Sequence, residues 1–479
     1  MIKTRLTLST LLGASLALTG AAQKTRDDVL SYLGETASTY EKLALDIWNY
    51  AELGYQETES SGAIQDVLRA AGFDVEAGVA GMPTGFVATY GSGHPIIAIL
   101  GEFDALPGVS QTADPVRTER PEVHAGHACG HHLFGAGSAH AVVAVKNWME
   151  ATGQKGTIRY YGTPAEEGGA GKVYMVRDGL FDDVDVALHW HAGDRNSVTN
   201  TPSLANKSAK FRFHGVASHA AAAPERGRSA LDGVEAMNTM VNLMREHVPD
   251  STRIHYVITR GGEAPNVVPA FAEVYYYVRH PDRDMVHAIW ERLEKAAEGA
   301  AMGTGTTVDS EIIHGVYDLL PNDTLAAVAQ ANLEKVGGFT YDEAEKEFAE
   351  KIGTTLPGNR PGALELANTV LPLTNVRSGG GSTDVGDVSW AVPTIGIRTA
   401  TWVPGTPAHS WQAVAAGGTT IGLKGMHVAS RTLALIAIDL FTQPATIAEA
   451  KTEFDRRRGD DFTYKPMVGD QPPPLDFRN

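Results

Sequence analysis

The middle of this chain interrupts an otherwise regular rhythm of strands and helices, and that interruption constrains the fold more than any other feature. Ahead of it, Arg26–Leu53 carries Val29, Leu33, Tyr40, Leu43 and Ile47 near helical spacing, and Ser61–Ala71 reads as a second helix stopped by Gly72. Ile96–Leu100 is then a continuous apolar run, His140–Met149 lies in a helix, and Thr157–Tyr161 and Val184–Trp190 read as strands. After the interruption Thr394–Thr399 is another strand. Short apolar strands alternating with helices predict an α/β domain with a largely parallel sheet, covered on both faces. Between about residues 207 and 316 the order changes. Lys210–Val216 alternates as a strand and Ser229–Glu246 is helical. Arg253–Thr259 and Ala272–Arg279 are strands in succession, Asp284–Ala300 is a helix, and Thr306–Ile313 is a last strand. The order β-α-β-β-α-β is the ferredoxin-like pattern. The expected build is a large α/β domain in two parts, 23–206 and 317–445, with a small α+β domain, 207–316, inserted between them. Residues 446–479 turn charged and proline-rich from Asp455, and predict a poorly packed tail.

Composition narrows the function. Hydrophobic residues make up 43% and charged residues 20% of 479, which excludes a disordered chain. The net charge of −17 argues against nucleic acid and against anionic membrane surfaces as partners. At the N-terminus, Lys3 and Arg5 precede an uncharged run from Leu6 to Thr19 and the small residues Gly20-Ala21-Ala22. That is the three-part pattern of an export signal over 1–22, so the mature protein is expected in the periplasm or outside the cell. Cys129 is the single cysteine, which leaves no intramolecular disulfide.

The densest chemical signal is His124-Ala-Gly-His127-Ala-Cys129-Gly-His131-His132, with four histidines and the cysteine in nine positions. A polar loop with incidental histidines is the plain alternative. Its place at the start of an apolar helix favours ligands aimed into a cleft, and a Cys-x-His pair suits zinc or another late first-row metal. Glu166-Glu167 follow the strand Thr157–Tyr161, where one carboxylate can bind metal while the other serves as general base. His189-Trp190-His191 closes the next strand, with His191 the better placed at the loop end. His409 sits in a loop after Pro404-Gly405, and Glu102 and Asp104 follow the strand Ile96–Leu100. All five lie at the carboxyl ends of predicted strands or in loops beside them, where α/β sheets carry their sites.

The strings GEFDALPG, HACGHH, GTPAEEGG, HWH, GVASHAAAAPERGRSALD, GGEAPNVVP, STDVGDVSW and GTPAHSW, in this order, resemble the M20 metallopeptidase family, and within it the amidohydrolases of subfamily D. The resemblance implies a zinc-exopeptidase-like domain with an inserted ferredoxin-like lid. It implies two divalent ions per subunit, zinc or manganese, and hydrolysis of an amide next to a free carboxylate in a small N-acyl amino acid. By position, Cys129 matches a shared metal ligand, and His131, Glu167, His191 and His409 match the other ligands. Glu166 matches the general base, and Asp104 a carboxylate that orients the site. His219 matches a catalytic histidine that reaches a neighbouring subunit's site and helps stabilise the tetrahedral oxyanion, which implies a homodimer through the lid. Asn266 and Arg279 match residues that hold the substrate carboxylate. Glu102 stands where the subfamily more usually has Asp, and His132 where Asp or Asn is usual. The rival activity is that of a carboxypeptidase or dipeptidase, with the same metal chemistry and a different pocket.

Overall fold

Ile96–Gly101 is buried at every position, as a strand must be when helices cover both of its faces. In the computed structural model, which describes residues 26–373 and 381–478, the part before the insertion contributes eight strands. They are β1 (Asp74–Ala77), β2 (Phe86–Ser92), β3 (Ile96–Gly101), β4 (Leu106–Pro107), β5 (Ala125–Gly126), β6 (Gly156–Gly162), β7 (Val186–Gly193) and β8 (Ser197–Thr199). The insertion holds β9 (Ala205–His214), β10 (Arg253–Arg260), β11 (Phe271–His280) and β12 (Thr307–Val316), and β13 (Thr394–Ala400) follows it. The export signal expected over 1–22 lies outside the described residues.

The large sheet runs β1-β2-β6-β3-β7-β13-β8. Its middle, β6-β3-β7-β13, is parallel, while β1, β2 and β8 join antiparallel. The parallel expectation therefore holds for the centre and not for the edges, where short half-exposed strands need no crossover helix. The helices His131–Thr152 and Thr420–Thr442 pack on each other and against this sheet. The carboxyl ends of β3, β6, β7 and β13 thus open on one side, and the loops that follow them meet there.

The insertion forms a separate antiparallel sheet in the order β10-β11-β9-β12, with helices Ala230–Met244 and Arg283–Thr304 packed on it. Alternation along β11 decides what each face does. Val274, Tyr276 and Val278 join Phe211, Phe213, Met237 and Trp290 in a core of its own. Tyr275, Tyr277 and Arg279, between them, point away from that core.

The C-terminal residues correct the expectation of a loose tail. Pro444–Arg458 is a helix, Phe454 is buried within the insertion's core, and Met467 and Val468 are each 1% exposed. The Phe462 ring packs against Tyr317 and Trp390, and the Tyr464 ring against Tyr317. A few widely spaced apolar side chains anchor an extended segment that its composition reads as polar.

Candidate active site

The loop ahead of helix His131–Thr152 is shaped by one residue without a side chain. Gly130 has φ of 80°, and a Cβ there would lie 2.4 Å from the Cβ of Ala192. This close approach brings the loop against the end of β7, and places Cys129 Sγ 3.2 Å from His191 Nε2. On the other side, Ala165 and His409 hold left-handed backbone, with φ of 56° and 59°, which non-glycine residues adopt at a cost. Ala165 N–H is tied to the buried Glu57 carboxylate at 2.8 Å, and His409 N–H to the Ala128 carbonyl at 3.0 Å. These bonds fix the directions of Glu166, Glu167 and the His409 ring.

Three overlapping trios result: Cys129, His131 and His191; Cys129, Glu167 and His409; Glu102, His131 and Glu166. Within each, the donor atoms lie within 4.8 Å of one another. His131 Nε2 is 3.0 Å from Glu102 Oε2, yet among the described residues neither atom has a hydrogen-bond partner, and Glu167 Oε1 has none either although His409 Nε2 is 3.0 Å away. Buried polar atoms normally find partners, and lone pairs converging without bonding each other are what a cation would satisfy. His131 is held in the required orientation from behind, with Nδ1 2.8 Å from Asp104 Oδ1. The other Asp104 oxygen accepts from Glu167 N–H at 2.9 Å. One thiol, three imidazoles and three carboxylates form a donor set that fits zinc-like or manganese-like divalent ions.

The electrostatics point the same way. Burial opposes a charge on His131, but Cys129, Glu102 and Asp104 outweigh it and hold its pKa well above the usual value. Burial, with Glu102, Glu167 and Asp384 beside it, pushes Glu166 well up, and burial likewise raises the Cys129 thiol. So many anionic groups in one buried place call for positive charge. Lys172 supplies some, fully buried, with Nζ 2.7 Å from Glu102 and 2.7 Å from Asp384.

A cavity of about 190 Å³ contains Glu102, Cys129, Glu166, Glu167, His191 and His409. His189 lines it too, outside every trio and held near pKa 3 by burial. An adjoining cavity of about 330 Å³ is bounded by Cys129, Glu166, Glu167, His191 and His409 of this cluster, and by Asn206, Tyr277, Arg279, Arg398 and Arg478. Arg279 reaches Ser382 Oγ at 3.4 Å. His219 and Asn266 are not brought to either cavity. Both are exposed on the lid and lie side by side, with Asn266 carbonyl accepting from Ala220 N–H at 3.0 Å. His132 is buried against the Gly417 carbonyl at 3.0 Å and serves the fold. Sequence reasoning missed Lys172, Asp384, Arg398 and Arg478. A lysine opening an apolar helix and an arginine inside an apolar strand were the available signals for Lys172 and Arg398.

Residues 205–304 match the M20 peptidase dimerisation domain. A subunit of the p-aminobenzoyl-glutamate hydrolase of Escherichia coli K12 is 41% identical over 441 residues, covering 86% of this chain and 91% of that protein. The chain belongs to the M20 family. Another relative, the Xaa-Arg dipeptidase of Mus musculus, is 29% identical over 438 residues, covering 88% of this chain and 90% of that one. Among solved structures, a Bacillus subtilis dinuclear metal-binding M20 peptidase shares the fold, with a TM-score of 0.56 at 19% identity, covering 85% of this chain and 99% of that one. As an M20 enzyme with this ligand cluster, the protein is a metal-dependent amidohydrolase with an inserted dimerisation domain.

Proposed function

We propose that the protein cleaves the amide bond of small N-acyl amino acids, of the aminobenzoyl-glutamate type that names its relative, using two divalent ions, zinc or manganese, per subunit. The observation that carries this reading is one cavity that holds both the ligand cluster and Arg279, so that a free carboxylate and the adjacent amide can be bound together. Cys129, His131, Glu167, His191 and His409 would hold the ions. Bound there, divalent ions supply an acidified water and a polarised amide carbonyl. Glu166 takes a proton from the nucleophile and delivers it to the departing amine. Asp104 keeps the His131 proton on Nδ1 and leaves Nε2 free to ligate. Arg279, on a strand rather than a loop, orients the substrate carboxylate through a forked pair.

His219 and Asn266 share one exposed patch, so they serve a site by reaching a partner's cavity. A homodimer through the lids accomplishes this. The edge strand β10 supports it, with Tyr256, Val257 and Ile258 exposed, as do Met240 and Leu243 on the neighbouring helix. An assembly of two different chains, as the word subunit in the relative's name suggests, is the competing arrangement. The uncharged run after Lys3 and Arg5 supports export to the periplasm or beyond. A dipeptidase reading draws on the Xaa-Arg dipeptidase likeness and on the metal chemistry that the two activities share.

The test is a hydrolysis screen of N-acyl amino acids against dipeptides, read by mass spectrometry on protein of measured metal content and molar mass. N-acyl amino acids should turn over and dipeptides should not. Arg279→Ala should lower kcat/KM by about 10- to 100-fold for a free acid and far less for its carboxamide. Preferential cleavage of dipeptides would transfer the assignment to the peptidase reading.

A further inference from the structure

We propose that the C-terminal segment is a wall of the substrate pocket, and that Arg478 recognises a second negative charge on the amino-acid half of the substrate. The inference rests on the amidohydrolase reading above, whose aminobenzoyl-glutamate-type substrates carry such a second carboxylate, and it assigns the residue that reads that charge.

The segment is held along its length by contacts to both domains. Tyr464 Oη donates to Asp387 Oδ1 at 2.7 Å, and the Lys465 carbonyl accepts from Tyr317 Oη at 2.7 Å. Met467 lies over Gly315 of β12, where a Cβ would come within 2.6 Å of the methionine Cβ. Gln471 donates to the Ile312 carbonyl at 2.5 Å and accepts from Arg177 at 2.7 Å through its own carbonyl. The last turns set Phe477 edge-on to Tyr55, with ring centroids 5.9 Å apart. A segment fixed this often delivers its final side chains to a defined place.

Arg478 enters the 330 Å³ cavity that contains Arg279 and the ligand cluster. Its terminal nitrogen donates to the Glu167 carbonyl, which steadies the group while leaving other donors unused. Among the described residues, the Nε atoms of Arg478 and of Arg279 are both buried without a hydrogen-bond partner. Three guanidiniums line this small cavity, Arg279, Arg398 and Arg478, and they repel one another unless anions lie between them; the orphaned Nε atoms single out Arg279 and Arg478. The acidic side chains on that cavity are Glu166 and Glu167, which face the ligand cluster. A chain of net charge −17 has carboxylates in excess, yet among the described residues it pairs neither guanidinium with one of its own. The anions that fit are therefore the substrate's. One carboxylate engages Arg279, and a second engages Arg478, through the forked geometry that carboxylates and guanidiniums share. An amino acid with an acidic side chain brings both.

The experiment uses the full-length, metal-loaded enzyme with the variants Arg478→Ala and Arg478→Met, the second retaining the stem that packs beside Phe477. Calorimetry compares binding of L-glutamate with L-glutamine, and steady-state kinetics compares N-benzoyl-glutamate with N-benzoyl-glutamine. The parent should prefer the dicarboxylate by about 10- to 100-fold in both measurements, a factor set by one charge-assisted pair. Both variants should lose most of that preference, chiefly through KM. A parent without preference, or variants that keep it, would overturn the assignment. Loss of glutamate preference in a protein that cleaves neither amide would sustain the Arg478 site and remove the amidohydrolase substrate. Efficient cleavage of N-benzoyl-glutamate with unchanged discrimination in both variants would do the reverse.

Discussion

Lys172→Met should be among the most damaging single changes in the molecule, although Lys172 is not placed among the ligands. Its side chain is fully buried, and its ammonium is shared between Glu102 and Asp384 at 2.7 Å each. Its own backbone N–H donates to the second Asp384 oxygen at 3.0 Å. Removing one partner of a buried ion pair costs about 3–5 kcal/mol, because an uncompensated charge remains. Here two carboxylates lose the same cation, so the upper part of that range is expected. With a urea slope of about 3 kcal/mol/M for a domain of this size, the midpoint of the metal-stripped protein should fall by about 1–2 M. The triple variant Lys172→Met, Glu102→Gln, Asp384→Asn removes the charges together and should recover most of the loss. A single variant within about 1 kcal/mol of the parent, or a triple variant no better than the single, would refute the reasoning.

Glu166→Ala should abolish turnover and keep bound metal, whereas Glu167→Ala should lose metal; elemental analysis that finds the opposite would exchange the two roles. Bound metal should shield Cys129 from thiol reagents, and chelation should open it to labelling, slowly at neutral pH because burial raises the thiol pKa. Equal labelling rates with and without chelator would remove Cys129 from the ligand set. Burial lifts Asp387 to about pKa 7, against roughly 4 in an unfolded chain. Its contribution to stability is then complete below about pH 4 and lost as pH rises through about 7. Asp387→Asn should flatten that part of the stability profile in urea titrations, and an unchanged slope would dismiss the shift.

The parts of the molecule written in periodic patterns were legible from the amino-acid sequence. Ile96–Gly101 declares itself as a continuous apolar run because helices cover both of its faces, and the β-α-β-β-α-β run because burial on a one-sided sheet repeats every second residue and on a helix every three or four. Glu166, Glu167, His191 and His409 could be gathered because each follows a strand whose end was visible, and Cys129 and His131 because they stand at the start of an apolar helix. Lys172 showed only as a lysine opening an apolar helix and Asp384 not at all, since a buried ion pair between residues 212 apart leaves no local mark of the pairing. The C-terminal segment failed for a related reason. Phe462, Met467, Val468 and Phe477 anchor an extended chain at irregular intervals, and no period announces them. Composition alone, charged and rich in proline, argued for the wrong state.

The pairing of β13 with β7 sets, on one face of one strand, a position that cannot vary beside a position that can. Gly396 lies opposite His189, and any Cβ at 396 would fall 2.1 Å from the His189 ring, so the sequence there has no freedom. Arg398, two residues on and opposite His191, is exposed toward the cavities. Its position is set by the backbone ladder and owes little to packing, so exchanging it should cost less than about 0.5 kcal/mol of stability. A lineage carrying this fold can therefore drift through many residues at 398, and sample new charges beside a fixed ligand, without passing through an unfolded intermediate. The rigid position is what makes the one beside it evolvable.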